Sequence, residues 1–305
     1  MILAIGNINL DWICTLPHLP APDEKVNIKK LDIFPGGAAS NFAVSLARLG
    51  SEVAVFGHIG NDAEGLEALQ ALNNEHVDTV RIIREKNLAT GFVIILIGDK
   101  GQSMKLRYHG ANARLSPNDI TPALLEDIEI AYAASVSIPL AEKLAKTCSN
   151  AGIRSAIDVG EDLIAQSIKA VRKMICRYSI VFMNELVFER IFEEKPTIDN
   201  VQSEISQQLE VLNVTLGDRG SITATNDTVF STSAFKVKAI DTTGAGDAFA
   251  AGFIHFYHKQ LSLKEAAKRA TACAAIQIMQ LGARDGLPTT REVEEFIKSV
   301  KSNTM

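Results

Sequence analysis

Asp241-Thr242-Thr243-Gly244-Ala245-Gly246-Asp247-Ala248-Phe249-Ala250-Ala251-Gly252 lies late in the chain, and a small-and-apolar run continues from it to Tyr257. Glycine lets the backbone approach a ligand closely. The apolar run reads as a buried helix, and a helix start carries unpaired N–H groups and the positive end of the macrodipole. Gly244, Ala245 and Gly246 would then present a row of N–H donors to an anion, with the Asp247 carboxylate beside them. Such a cradle next to a carboxylate suits phosphoryl transfer to a hydroxyl. The donors stabilise charge on the transferring group, and the carboxylate accepts the hydroxyl proton. A bare G-x-G would mean only a tight turn entering a helix; the longer string says more.

A second glycine-led string stands at Gly36-Gly37-Ala38-Ala39-Ser40-Asn41, followed by Phe42 to Gly50. Apolar residues at 39, 42, 43, 46, 47 and 49 follow helical spacing, and Gly50 is a natural stop. Asn41 falls in the first turns of that helix. Near the N-terminus, Ile2-Leu3-Ala4-Ile5-Gly6 reads as a short buried strand. Alternation then places Asn7, Asn9 and Asp11 on one side and Ile8 and Leu10 on the other. Val211 to Leu216 has a strand pattern, Gly217-Asp218-Arg219-Gly220 a turn, and Ser221 to Thr225 a returning strand with Asn226-Asp227 at a hairpin tip. Ile180 to Met183 is a strand running into the polar corner Asn184-Glu185.

Between these strings, strand-like runs alternate with helices: strand 53–57, helix 63–73, strand 130–135, helix 139–151, strand 154–158, helix 162–173, strand 179–183, helix 184–193. Helices 262–281 and 289–300 follow. Alternation of this kind predicts an α/β fold with a doubly wound, mostly parallel sheet flanked by helices. Ligands then lie beyond the carboxyl ends of the strands. Residues 12–35 and 90–109 break the alternation and read as hairpin-type strands, either an extension of the main sheet or a small sheet of their own. At 305 residues and 47% hydrophobic, the chain can bury a large core as a single domain, 1–305.

Composition removes other classes. A net charge of −5 without a basic run makes nucleic acid and anionic membranes poor partners. No stretch of about 18 apolar residues exists to span a membrane. The N-terminus lacks a charged n-region, so the expected location is cytoplasmic. Cys14, Cys148, Cys176 and Cys273 are scattered and read as reduced thiols. The six histidines lack metal-ligand spacing, and no G-x-x-x-x-G-K-[ST] loop occurs, which excludes an ordinary P-loop kinase.

The Asp-Thr-Thr-Gly-Ala-Gly-Asp string and the earlier Gly36-Gly37…Asn41 string together resemble the two signatures of the ribokinase (PfkB carbohydrate kinase) family, and the whole chain follows the family order. The resemblance implies a ribokinase-like fold whose extra strands, from insertions at about 12–35 and 90–109, form a small β-sheet lid over the sugar. It implies an ATP-dependent kinase acting on a primary hydroxyl, with Asp247 as catalytic base and Gly244, Ala245 and Gly246 as the anion hole. Gly36 and Gly37 would give the sugar access to backbone, with Asn41, Asn9 and Asp11 contacting its hydroxyls. Gly110-Ala111-Asn112-Ala113-Arg114-Leu115 is similar to ribokinase and adds Asn112 to the substrate contacts. Thr-Leu-Gly-x-x-Gly resembles the family's ATP-phosphate turn, so Thr215, Gly217, Gly220 and the corner residue Asn184 are expected at the nucleotide. Arg219 either faces solvent or lies near phosphate.

Magnesium is implied with the ATP. In the family an Asn-x-x-Glu holds its hydration shell, but here the Glu position is Val187, which leaves Glu185 or Glu189 to substitute. The Asp241-Thr242-Thr243 start resembles members that bind potassium, using this loop, with Asp241 and Thr243, and the later Gly282–Gly286 turn. The other reading of Asp241 is a simple turn cap. Several segments, among them Ile157 to Leu163 and Gly286-Leu287-Pro288-Thr289, look closer to archaeal nucleoside kinases than to ribokinase proper. Ribokinase has Lys where this chain has Ala38 and a sugar-contacting Glu where it has Ser137. A nucleoside acceptor is therefore favoured over free ribose. The alternatives are a kinase of another sugar or sugar acid (ribose, fructose-type, 2-keto-3-deoxygluconate) or a non-catalytic sugar- or nucleotide-binding regulator; arginines lining the acceptor pocket, Arg107 or Arg114, would favour a sugar acid or sugar phosphate. Exposed edge strands on the lid invite a homodimer through it.

Overall fold

The computed structural model describes residues 1–206 and 208–302. The strands in chain order are β1 (Ile2–Gly6), β2 (Asn9–Leu16), β3 (Lys30–Gly36), β4 (Val53–Phe56), β5 (His58–Gly60), β6 (Ile83–Glu85), β7 (Gly91–Gly98), β8 (Ser103–Tyr108), β9 (Ile130–Ala134), β10 (Arg154–Val159), β11 (Ile180–Asn184), β12 (Val211–Thr215), β13 (Ser221–Ala224) and β14 (Val229–Thr232). The helices are α1 (Ala38–Leu49), α2 (Ala63–Asn74), α3 (Ile138–Ala151), α4 (Glu161–Ile164), α5 (Ile168–Ile175), α6 (Glu185–Phe192), α7 (Ile198–Ser203), α8 (Ala245–His258), α9 (Leu263–Gln277) and α10 (Thr290–Ser302).

The main sheet has the order β14-β13-β12-β11-β10-β9-β1-β4. From β12 to β4 every pairing is parallel, and β13 and β14 add an antiparallel edge. The strands read as near-continuous apolar runs because both faces are covered. Pleating divides β1 between two cores: Ile2 and Ala4 pack with α1, α8 and α9, whereas Leu3 and Ile5 pack with α3, α5 and α6. α8 is buried from Ala248 to Phe256, apolar nearly all round, as a helix packed between neighbours must be.

Three boundaries differ from those read in the sequence. The helix expected over 162–173 is two, α4 and α5. Between them the Gln166 carboxamide bonds Ile138 N (3.0 Å) and Val136 O (3.3 Å), and Ser167 caps the second helix. The helix expected over 262–281 stops at Gln277, whose side chain turns inward to other loops. The hairpin-type segments do not extend the main sheet. They form a separate four-stranded sheet, β3-β2-β7-β8, with β2 and β7 parallel at its centre, and β2 begins at Asn9.

Registry in that small sheet sorts its two faces. One carries Asp11, Phe34, Val93, Lys105 and Arg107; the other carries Leu31 beside Cys14, Leu96 and Met104, and Ile33 beside Trp12, Ile94 and Leu106. Asp11 and Phe34 look toward the main body, since Phe34 lies against Gly282. Among the described residues no helix is long and apolar enough to cross a membrane.

Candidate active site

At the entry to α8, Gly244 is left-handed (φ 79°), and a Cβ there would lie 2.5 Å from the Ala283 carbonyl. Only glycine takes that conformation and that contact together. Ala245 N leans on Thr242 O at 3.3 Å. Among the described residues the Gly244 and Gly246 amides have no protein partner, so they remain available as donors at the helix start. Asp247 stands in the first turn, a short step beyond them.

Asp247 retains a solvent-facing edge but is set deep enough that burial, with the negative charge of Asp158 adding to it, raises its carboxyl pKa to about 7. Its Oδ2 accepts from Asn41 Nδ2 at 3.1 Å, and Asn41 Oδ1 in turn accepts from Arg284 Nε at 2.8 Å. Sequence reading placed Asn41 on acceptor hydroxyls. The structure puts its carboxamide between a guanidinium and the carboxylate, where it orients Asp247.

Arg284 and Asp158 escaped the sequence reading altogether. Arg284 is 8% exposed and also donates through Nη2 to Gly36 O (3.2 Å) and Ser40 Oγ (2.8 Å). Burial lowers its pKa to about 10, opposed by Asp11, Glu75 and Asp247, so it stays a cation at neutral pH. Arg48, held by Glu75, fixes the backbone here by donating to the carbonyls of Arg284 (2.7 Å) and Leu287 (3.0 Å). The one signal for Arg284 was a lone cation inside the Gly282–Gly286 turn. Asp158 is the next-to-last residue of β10, and burial raises its pKa to about 6.

Asp11 closes the cluster. Burial raises its pKa to about 6, against the lowering effect of Arg284 and Lys105. A Cβ on Gly36 would collide with this carboxylate, so the glycine makes the space in which Asp11 sits. Gly37, left-handed at φ 96°, packs on the Asn7 backbone and opens α1. No protein hydrogen bond takes the Asp11 carboxylate among the described residues, which leaves its oxygens free to accept from a ligand. Asn112 is spent differently: its carboxamide pairs with both the Ile8 N–H (3.0 Å) and C=O (3.2 Å), and its Nδ2 holds Asn9 Oδ1 at 2.8 Å. It fixes Asn9 and has little left for a ligand.

A cavity of about 420 Å3 opens beside these groups, lined among others by Asn7, Arg107, His109, Asn112, Ser137 and Gln166. Arg107 reaches from β8 across to α4 and pairs bidentately with Asp162, at 2.5 and 3.0 Å. Arg114 is exposed and does not line it.

The residues expected at the nucleotide form a second group at the carboxyl ends of β11 and β12, where Asn184 pairs in register with Thr215. Asn184 is the N-cap of α6, its Oδ1 accepting from Val187 N at 2.9 Å. Gly217 and Gly220 bound a single 3-10 turn that closes through Leu216 N to Gly220 O at 2.7 Å. Val187, at the position of the family's Glu, is fully buried. Glu185 pairs with the exposed Arg219. No hydrogen bond among the described residues joins this group to Asp247.

Asp241 takes the turn-cap arrangement. Its Oδ1 accepts from Thr243 N (2.9 Å) and Oγ1 (2.7 Å), and its Oδ2 from Gly282 N (2.9 Å). Burial pushes its pKa up, but these hydrogen bonds outweigh it and hold the carboxyl below the usual range.

The chain is 26% identical over 308 residues to the ribokinase of Haemophilus influenzae, covering 97% of this chain and 98% of that protein. It is 28% identical over 298 residues to the ATP-dependent ribose-1-phosphate kinase of Halopiger xanaduensis, covering 97% of each. The solved nucleoside kinase of Methanocaldococcus jannaschii superposes with a TM-score of 0.86 at 26% identity, over 98% of both chains. The profile of the pfkB family carbohydrate kinases matches residues 1–290, and the chain belongs to that family of phosphotransferases with a hydroxyl acceptor.

Proposed function

We propose that this enzyme transfers the γ-phosphoryl group of ATP to the primary hydroxyl of a nucleoside. The observation that carries the reading is one arrangement: free amides at the start of α8, the Asp247 carboxylate beside them, and the unpartnered Asp11 carboxylate facing the same space. Asp11 and Asn9 hold two ribose hydroxyls. Asp247 accepts the proton of the attacking hydroxyl, at a pKa of about 7 suited to a base near neutrality. The Gly244–Gly246 amides stabilise the charge on the transferring group.

The adjoining cavity favours a nucleoside, since its volume of about 420 Å3 leaves room for a substituent on the sugar. Its one arginine is neutralised by Asp162, so the lining suits a neutral base better than a phosphate or a carboxylate. Thr215, Gly217, Gly220 and Asn184 receive the nucleotide. Magnesium neutralises phosphate charge when bound, and it commonly binds through few carboxylates plus substrate phosphates. Glu185, the first residue of α6, would meet its water shell by leaving Arg219.

The four-stranded sheet acts as the lid, and a second copy docks on it. Leu31, Ile33, Met104 and Leu106 are exposed together on its outer face, a continuous apolar surface of the kind that marks an interface. The pairing is face to face, because the charges of Lys105 and Arg107 lie on the opposite side of β8.

A coupled ADP-release assay over nucleosides, ribose, ribose 1-phosphate, fructose 6-phosphate and 2-keto-3-deoxygluconate tests the reading. The expected result is the highest kcat/KM with a nucleoside. A preference for ribose 1-phosphate would mean that Arg107 leaves Asp162 for the ligand and that the acceptor is a sugar phosphate rather than a nucleoside. No ADP release with any acceptor would overturn the kinase reading in favour of a binding protein.

A further inference from the structure

Gln277 is fully buried at the end of α9. Its Nε2 donates to two carbonyls at once, Thr243 O at 3.2 Å and Gly282 O at 2.6 Å. One belongs to the loop that delivers Gly244, the other to the loop that returns from α9. The same two loops are tied again by the Asp241 carboxylate, which accepts from Thr243 and Gly282. Ile240 N and Asp241 N both donate to Ile278 O, at 2.8 and 3.3 Å.

A potassium ion bound under this loop needs backbone carbonyls and a carboxylate free to replace its hydration shell. Here the Thr243 and Gly282 carbonyls already face an N–H2 group, whose partial positive charge an incoming cation would oppose. Both Asp241 oxygens accept hydrogen bonds. Among the described residues at this loop, Gln277 Oε1 alone is left buried without a partner, and one acceptor cannot replace a hydration shell, so the residues present do not fit the ion that the loop sequence suggested.

We infer that the side-chain amide of Gln277 stands in for a monovalent cation beneath the anion hole, so that catalysis proceeds without potassium. An amide with two donors can bridge two carbonyls as an ion does, and it is delivered by the chain rather than drawn from solution. Gln277 is a positioning residue: it fixes the direction of the Gly244–Gly246 amides and touches no reactant. The inference rests on the assignment of those amides to the transferring phosphoryl group.

The test measures kcat, acceptor KM and Tm in potassium, sodium and tetramethylammonium chlorides at matched ionic strength, for wild type, Gln277→Met and Gln277→Ala. Wild type should show the same kcat in all three salts to within about twofold and the same Tm. Gln277→Met keeps the volume and removes the donor, and should lose roughly tenfold in kcat in every salt at unchanged acceptor KM. Gln277→Ala opens a space lined by the two carbonyls, and should be as slow in tetramethylammonium yet recover to within about threefold of wild type in potassium, with a raised Tm. Several-fold stimulation of wild type by potassium would overturn the inference, as would wild-type kcat in Gln277→Met or an Ala variant indifferent to potassium. Absence of kinase activity in wild type would instead remove the functional assignment, and the Tm comparison would still decide the cation question.

Discussion

At the residue scale, the chemistry turns on how carboxylates are housed. Asp247→Asn keeps the Asn41 contact and removes the base, so kcat should fall by roughly 10²–10⁴ while acceptor affinity holds. Stopped-assay kinetics with isothermal calorimetry check both, and a variant with a third of wild-type kcat would dismiss the assignment. Asp11→Ala strands the hydroxyls it held and should weaken acceptor binding by roughly 1–3 kcal/mol per unpaired group, leaving ATP affinity unchanged. Because the base must be ionised, kcat/KM should decline as pH falls through about 7. Asp158 contributes to that raised value by its charge, so Asp158→Asn should move the acid limb to lower pH; an unmoved limb would disconnect the two carboxylates.

At the element scale, the proposed anion hole depends on two loops that hold the start of α8 in a conformation that ordinary residues avoid. Gly244→Ala meets both the left-handed φ and the Ala283 carbonyl at 2.5 Å. It should therefore cost about tenfold or more in kcat through displaced amides, at little change in acceptor KM. Steady-state kinetics with a folded-state check by circular dichroism would show it, and full activity would mean that the loop tolerates the shift. Much of this element was legible in sequence: Gly-Ala-Gly before an apolar run announces a helix start, and Gly50 announces the end of α1. The partnership of Asn41 with Arg284 was not, because 243 residues separate them and no local pattern links them.

At the scale of the whole molecule, folding confines Asp11, Asp158 and Asp247 where charge is poorly solvated. All three have raised pKa values, about 6, 6 and 7 against 3.8, so the folded protein binds more protons than the unfolded chain between about pH 4 and 7. Their contribution to stability therefore falls as pH rises through that window. Asp247→Asn should have a Tm about 2 °C or more above wild type at pH 8, the gap narrowing toward pH 4. Thermal scans at both ends check the sign, and a lower Tm at pH 8 would reverse the argument. The small sheet should gain amide protection when acceptor binds, since over an empty cleft its inner face buries little. Hydrogen exchange should place that gain in β2, β3, β7 and β8. Light scattering should show a dimer that Leu106→Lys dissociates; a monomeric wild type would remove the docking face.

The sequence alone determined the alternation of strands and helices, the two glycine-led helix starts and the family, because periodicity, glycine placement and contiguous motifs are local properties of a chain. Tertiary structure alone decided what the polar side chains are spent on. It turned Asn112 onto the backbone of Ile8 and set Asn41 between Arg284 and Asp247. It also bridged two loops through Gln277 and paired Arg107 with Asp162 across the cleft. A buried amide or guanidinium takes whichever partner folding brings within reach, and in this protein those partners lie tens to hundreds of residues away.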